Sequence, residues 1–188
     1  MGILAEPLDM IKKLPLEKGF TVCELGDQYI TFNERRLASE FYNELGCGRY
    51  ESIDGNGRGT ITADLNKPLP NLKMQFDLVT DFGTGEHIFD QRQVFKSIHL
   101  LTVRGGYFVF DRPCQGYKGH CYWLADECVW TDFAAANKYE ILQLSKKTTS
   151  RGELIRGVMR RTAKDKFRVP QQGRYKKILK PILDQAVA

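Results

Sequence analysis

Apolar and polar positions alternate along the chain in short blocks that predict strands and helices in turn. Five apolar runs stop at a glycine or an acid, as buried strands do: Phe20–Leu25, Tyr50–Ile53, Thr60–Ala63, Phe76–Thr80 and Tyr107–Asp111. Apolar residues at helical spacing predict four helices: Leu4–Leu16, Glu34–Leu45 (capped by Asn33), Gln91–Leu101 and Asp132–Asn137. This order predicts an α/β fold with a doubly wound, mostly parallel sheet.

The C-terminal part predicts a different strand geometry. Tyr139–Leu144 and Leu154–Arg161 are two further strands joined by Lys146–Gly152 as a hairpin-type loop, which gives an antiparallel pair. The 188 residues fit one domain. Within it we distinguish an N-terminal helical cap (1–18), a stretch rich in aromatic residues and cysteine that is suited to an acceptor-site insert (112–131), and a basic C-terminal segment (146–180).

Charge is distributed unevenly between these parts. The net charge is +5, but residues 146–180 hold 13 Lys or Arg against two acids, so the remainder of the chain is acidic. The basic segment Arg151–Lys177 interleaves Phe167, Val169 and Tyr175, a composition that can bind an anionic substrate or nucleic acid. A strand followed by a solvated extended segment explains the same composition, and no known nucleic-acid motif is present.

Several classes of protein are disfavoured by composition. No apolar run approaches the roughly 20 residues of a membrane span, and Met1–Lys18 lacks the apolar core of a signal peptide. The five cysteines are odd in number and include no CxxC pair, so we expect a cytoplasmic chain with reduced thiols. Cys114, His120, Cys121 and Cys128 lack the paired spacing of a structural zinc site, and no metal is expected.

Acidic residues follow three successive predicted strands: Asp54, Asp64 and Asp81. Because ligands of open α/β sheets bind beyond the carboxyl ends of the strands, these side chains should converge on one crevice. The first strand ends in the turn Glu24-Leu25-Gly26-Asp27-Gln28, which has one glycine where a dinucleotide fingerprint has three. Its two acids would repel a pyrophosphate, whereas they suit a cationic ligand without phosphate.

These motifs, in this order, resemble the class I S-adenosylmethionine-dependent methyltransferases, which have a Rossmann-like fold. The resemblance runs from about Phe20 to Asn137 and rests on five segments: Val22–Gly26, Asp54, Asp64-Leu65, Phe76–Val79 with Glu86-His87-Ile88, and Leu100–Phe110 with Arg104-Gly105-Gly106. The chain departs from the family at the first motif, where Asp27 and Gln28 stand in place of further glycines.

The resemblance implies a cofactor and a reaction. S-adenosyl-L-methionine would be bound and S-adenosyl-L-homocysteine released, with these residues at the cofactor: Glu24, Gly26, Asp27, Asp54, Asp64, Leu65, Asp81 and Phe82. The acceptor is expected to be a small molecule, a saccharide or a lipid-linked compound, and an anionic one fits the basic segment. A methyltransferase of nucleic acid and a non-catalytic S-adenosylmethionine-binding protein remain alternatives.

Two histidines are candidates for catalysis. His87 follows the fourth predicted strand, on the cofactor side in the family's arrangement, and His120 lies after the fifth, where such enzymes recognise their acceptor. Either could take a proton from an oxygen or nitrogen acceptor. Packing roles at a helix start and beside Tyr122 and Trp123 are the alternative. His99, on a predicted helix, is expected to be structural.

Overall fold

The computed structural model describes residues 2–31, 35–69 and 74–172. In chain order the elements are β1 (Gly2–Ile3), α1 (Ala5–Lys12), β2 (Thr21–Leu25), β3 (Tyr29–Ile30), β4 (Arg36–Leu37), α2 (Ala38–Glu44), β5 (Arg49–Asp54), β6 (Ile61–Thr62), β7 (Phe76–Asp81), a 3-10 turn (Gly85–His87), α3 (Gln91–Leu101), β8 (Thr102–Gly116), α4 (Glu127–Asn137), β9 (Tyr139–Thr149) and β10 (Gly152–Arg161).

Seven of these strands form the main sheet in the order β6-β5-β2-β7-β8-β10-β9. The first five of that order run parallel, and β10 is antiparallel to both β8 and β9. The predicted Rossmann-like, mostly parallel sheet with a C-terminal antiparallel pair is therefore confirmed. The strand order reverses at β2, between β5 and β7, which is where a ligand crevice forms in such sheets.

Two apolar cores cover the two faces of this sheet. One contains residues of α1 and α2, and the other contains residues of α3 and α4. In the second core the ring of Trp130 stacks on that of Phe110 with centroids 3.6 Å apart. No helix in the described ranges is long and apolar enough to cross a membrane.

The helix predicted over Glu34–Leu45 begins later than expected. It starts at Ala38, and Leu37, which lies within the predicted helix, is exposed at the end of β4. The preceding residues instead build a small sheet in which β3 pairs with β1 and β4. Local periodicity cannot detect this arrangement, because Tyr29 and Ile30 pair with Gly2 and Ile3, far back along the chain. Asn33, the predicted cap, and Glu34 lie outside the described residues.

Four further segments differ in length from their predictions. The strand predicted over Tyr107–Asp111 extends in both directions as β8, and α4 begins five residues before Asp132. The predicted loop Lys146–Gly152 is mostly strand, because β9 and β10 stay paired almost to the turn. The strand predicted over Thr60–Ala63 is reduced to β6 at the sheet edge. Irregular chain between β8 and α4 is thereby confined to residues 117–126.

Part of the basic segment (146–180) is internal rather than solvated. Arg156 is buried and donates to Asp111 Oδ2 at 3.1 Å. Arg161 is also buried and donates to the backbone carbonyl of His99 at 2.7 Å. These arginines tie β10 to its neighbours, so the local charge excess overstates what is available to a partner. Residues 173–180 of the segment lie outside the described part of the chain.

The two tryptophans provide a matched test of this core. Trp130→Ala removes a fully buried indole and should lower the free energy of unfolding by about 3–5 kcal/mol. Trp123→Ala removes the same group from a position that is 42% exposed and should cost less than about 1 kcal/mol. Urea unfolding followed by circular dichroism measures both. Equal losses would contradict the packing described for Trp130.

Candidate functional site

The carboxyl ends of β2, β5 and β7 meet at one edge of the sheet. Leu25, the last residue of β2, is in register with Ile53 on one side and Asp81 on the other. The backbone N–H of Gly26 then donates to the carbonyl of Ile53 at 2.8 Å. This register brings the glycine turn beside Asp54, as the sequence predicted from the order of the strands.

Gly26 occupies a position that only glycine can fill. Its φ is +83°, and a Cβ at this residue would lie 2.2 Å from Thr84 Oγ1 and 2.7 Å from Gln28 Nε2. Gln28 Nε2 donates to Thr84 Oγ1 at 2.8 Å, which links the turn after β2 to the turn after β7. The missing family glycines are therefore replaced by a polar bridge across the turn.

Glu24 supports the turn from below. Its carboxylate is fully buried and accepts hydrogen bonds from the hydroxyl of Tyr50 at 2.8 Å and the backbone N–H of Gln28 at 3.3 Å. Burial raises the pKa of Glu24 to about 8. Glu24 is enclosed beneath the backbone of the turn, and its contact with a cofactor stays a prediction.

Asp27 and Asp54 are the half-buried carboxylates of this edge. The backbone N–H of Asp27 donates to Asp54 Oδ2 at 3.1 Å, and that of Asn56 donates to Asp54 Oδ1 at 2.9 Å. The Asp27 carboxylate accepts a long hydrogen bond from Ser52 Oγ at 3.5 Å. Both carboxylates keep acceptor capacity for hydroxyl or ammonium groups.

Asp64 and Leu65 differ in burial. Asp64 accepts hydrogen bonds from the backbone and side-chain nitrogens of Asn66, each at 2.9 Å, and these bonds lower the pKa of its carboxyl. Its side chain is 46% exposed, whereas Leu65 is buried and packs in the core. Asp64 is thus engaged in its own turn, and cofactor contact by these two residues stays a prediction.

A buried ion cluster underlies the turn after β7. Asp81 Oδ1 accepts hydrogen bonds from the backbone N–H groups of Thr84 and Gly85 at 3.2 and 2.9 Å. Its other oxygen lies 3.5 Å from Arg112 Nη1, and Arg112 Nε lies 3.4 Å from Glu86 Oε2. The side chains of Asp81, Arg112 and Glu86 have no exposed surface. Burial, and next the charge of Asp81, raise the pKa of Glu86 to about 7.

This cluster changes the interpretation of the strand-end residues. Asp81 shapes the site from beneath, and Phe82 is buried in the core that covers α1 and α2, so contact of either with a cofactor stays a prediction. Arg112 was not among the residues predicted for the site, and Glu86 was predicted only as part of a motif. An arginine directly after the predicted strand Tyr107–Asp111 is the one signal that could have indicated a buried partner for Asp81.

The two candidate histidines meet in space. The rings of His87 and His120 lie edge to face with centroids 4.9 Å apart. The backbone N–H groups of Tyr122 and Trp123 both donate to the carbonyl of Glu86 at 3.2 Å, which docks the connection after β8 onto the 3-10 turn. Burial lowers the pKa of both imidazoles. Together with Glu86 they form a group of side chains that could hold a metal ion. Within the described part of the chain, it is the one such group of His, Cys, Asp or Glu residues.

Exposed aromatic side chains follow both histidines closely in sequence. Phe89 contacts Tyr122 and Trp123 with ring centroids 5.8 and 6.1 Å apart, and Trp123 Nε1 donates to the carbonyl of Phe89 at 3.1 Å. We call Phe89, Tyr122 and Trp123 the aromatic platform. Its rings are between 42% and 70% exposed, which leaves their faces open to a planar or saccharide-like ligand. The third histidine, His99, is fully buried with its Nε2 2.7 Å from the carbonyl of Asp165, in agreement with the structural role expected for it.

Comparison with known proteins identifies the fold. No protein-family model and no curated protein sequence matches the chain, whereas 248 chains of solved structures do. The N-methyltransferase NodS of Bradyrhizobium japonicum is 16% identical, with a TM-score of 0.59 over 84% of this chain and 96% of NodS. The 1,6-didemethyltoxoflavin N1-methyltransferase of Burkholderia thailandensis, solved with 1,6-didemethyltoxoflavin and S-adenosylhomocysteine, is 14% identical, with a TM-score of 0.61 over 84% of this chain and 77% of that enzyme.

The same fold also occurs in a protein named for another reaction. The [4+2]-cyclase SpnF is 12% identical and has a TM-score of 0.54 over 84% of this chain and 81% of SpnF. The chain therefore has the Rossmann-like fold of the class I methyltransferases, as its motifs predicted. The reaction has to be argued from the site itself.

Gly26→Ala tests the packing of the turn against a control with the same backbone strain. Gly105 has a φ of +86°, and a Cβ there would meet nothing within 4 Å. The destabilisation in Gly105→Ala therefore comes from backbone strain alone. We expect Gly105→Ala to cost about 1 kcal/mol of unfolding free energy and Gly26→Ala to cost clearly more, because it must also displace Thr84. Chemical denaturation compares the two variants. Equal costs would show that the space above Gly26 is not filled.

The buried carboxyl of Glu24 should make stability depend on pH. A pKa raised from 4.5 to about 8 means that the folded state binds the proton more tightly than the unfolded state. Between these values the free energy of unfolding should fall as pH rises, with this group adding at most about 1.4 kcal/mol per pH unit. Glu24→Gln should remove that slope, and Glu40→Gln, an exposed change in α2, should keep it. Denaturant titrations at several pH values measure the difference.

Proposed function

We propose that this chain binds S-adenosyl-L-methionine at the carboxyl ends of β2 and β5 and transfers its methyl group to a small-molecule, saccharide or lipid-linked acceptor. The observation that carries the proposal is the placement of Asp54 directly beside the Gly26 turn, within the fold shared with the methyltransferases above. A carboxylate after the second parallel strand is positioned to accept hydrogen bonds from ribose hydroxyls.

The residues of this edge fit such a cofactor. Asp27 and Asp54 retain acceptor capacity for hydroxyl and ammonium groups, and their negative charge suits a sulfonium cation. The bound cofactor would supply an already activated methyl group. The chain's own contribution is to hold the turn through Glu24, to orient the ligand through Asp54 and to exclude water around the acceptor.

The acceptor would lie on the side of the aromatic platform. Exposed ring faces bind sugars and other planar groups, and His87 and His120 lie where an imidazole nitrogen could accept a proton from a hydroxyl or amine. The guanidinium of Arg151 lies 5.6 Å from the ring of Tyr117, which in turn contacts His120. This positive charge beside the histidines favours an anionic acceptor over a neutral one.

A non-catalytic binding protein is the second candidate, and one observation favours it. The bridge between Gln28 and Thr84 closes over Gly26, and the N–H groups of Asp27 and Gln28 already donate to carboxylates of the protein. A nucleic-acid methyltransferase receives less support, because Arg156 and Arg161 of the basic segment are buried.

Isothermal titration calorimetry with S-adenosylmethionine and S-adenosylhomocysteine tests the proposal. Both should bind, and Asp54→Asn should weaken binding at least about tenfold, because it removes a charged acceptor from two ribose hydroxyls. Asp9→Asn, a matched change on the exposed side of α1, should bind like the wild type.

The outcomes separate the candidates. If neither compound binds, the methyltransferase assignment is wrong. If both bind but no methyl group is transferred across a panel of sugars, phenols and phosphorylated acceptors, the non-catalytic candidate is supported. Binding that Asp54→Asn leaves unchanged would place the cofactor elsewhere on the sheet.

A further inference from the structure

The group formed by Glu86, His87 and His120 offers three metal-ligating atoms. These atoms, one from each residue, lie within 4.8 Å of one another. We propose that the three residues bind a first-row divalent transition metal ion, for which Zn²⁺ is the best match. Two imidazole nitrogens and one carboxylate oxygen are a ligand set of zinc and its neighbours in the series, whereas Mg²⁺ and Ca²⁺ prefer oxygen alone.

Buried polar atoms without a hydrogen bond are an independent indication of a ligand site. Glu86 is fully buried, and neither oxygen of its carboxylate accepts a hydrogen bond, although Oε2 lies 3.4 Å from Arg112 Nε. His120 Nε2 is likewise buried without a hydrogen-bond partner. Side-chain atoms buried without a hydrogen bond are rare in folded proteins. A cation placed among the three residues would satisfy both.

The balance of buried charge points the same way. Asp81 and Glu86 present two carboxylates to the single guanidinium of Arg112, and all three side chains are inaccessible to solvent. With both carboxylates ionised, one negative charge is left without a partner within this cluster. A divalent cation beside Glu86 would compensate it, and Arg112 would hold the carboxylate in place as the outer partner that metal ligands usually have.

The site joins two segments that are distant in sequence. Glu86 and His87 belong to the turn after β7, and His120 belongs to the connection after β8. Their relative position is fixed by the two hydrogen bonds from Tyr122 and Trp123 to the carbonyl of Glu86. The comparison of cysteine spacings along the chain missed this set, because only Glu86 and His87 are neighbours in sequence.

Three protein ligands leave coordination positions open, as in catalytic rather than structural zinc sites. His87 is exposed, and Phe89 of the aromatic platform follows it by two residues, so an open position would be available to an oxygen of a bound molecule. A role in orienting the methyl acceptor rests on the proposed function, and there the metal would act on the acceptor in place of the two imidazoles, because a metal-bound imidazole nitrogen no longer accepts a proton. Binding of the metal itself does not.

The test is a titration of the full chain, stripped with a chelator, with Co²⁺ and then Zn²⁺ in the absence of S-adenosylmethionine. We expect one equivalent of Co²⁺ to give the visible absorption of a site with nitrogen ligands, Zn²⁺ to displace it, and Mg²⁺ to leave it unchanged. His87→Gln and His120→Ala should each weaken binding by at least about tenfold. Cys121→Ser, which removes a nearby thiol and keeps the three proposed ligands, should bind like the wild type.

The site would be overturned if neither Co²⁺ nor Zn²⁺ binds, or if both histidine variants bind the metal with unchanged affinity. Loss of binding in Cys121→Ser alone would assign the metal to the cysteine and would also overturn it. His87 is exposed, so His87→Gln should fold normally, which circular dichroism checks. If His120→Ala does not fold, the result for His87→Gln decides whether the site is correct. Because the titration uses no S-adenosylmethionine, failure of the metal site is distinguishable from failure of the proposed function.

Discussion

Arg112 enters the interior at the end of the parallel part of β8 and places its guanidinium between the carboxylates of Asp81 and Glu86. Arg112 Nη2 donates to Gln91 Oε1 at 3.0 Å, and the guanidinium carbon of Arg112 lies 5.5 Å from the centroid of the Trp130 ring. One side chain thus connects β7, the turn after it, α3 and α4. Breaking such a buried pair typically costs about 3–5 kcal/mol, because the remaining charge loses its partner.

The edge of the sheet formed by the carboxyl ends of β2, β5 and β7 depends on this arrangement. Asp81 captures the N–H groups of Thr84 and Gly85, and Thr84 then meets Gln28 above the glycine turn. A Cβ at Gly85 would lie 2.4 Å from Asp81 Oδ2, so the close approach of the turn to the carboxylate also requires glycine there. The position of the turn after β2 is consequently set in part by an ion pair beneath the turn after β7.

Sequence reasoning predicted the features that depend on short-range pattern or on general sheet geometry. The helix Gln91–Leu101 was predicted to the residue, and the meeting of Gly26 with Asp54 followed from the rule that parallel strands share a carboxyl edge. The predicted start of α2 was wrong because the residues before it form a small sheet, in which β3 pairs with residues at the N-terminus. Pattern alone could not place Arg112, since a charged residue at a strand end is more often solvated than buried.

The two halves of the edge differ in physical character. On the side of β2 and β5, the turn is supported by carboxylates, and Asp27 and Asp54 keep acceptor capacity for a cationic, hydroxylated ligand. On the side of β7 and β8 lie two imidazoles, exposed aromatic rings and a buried carboxylate that accepts no hydrogen bond. Since the strand order reverses between β5 and β7, a ligand bound at β2 would lie against both sets. A reaction between two molecules requires this kind of division, because each partner needs its own recognition surface while their reacting atoms share one crevice.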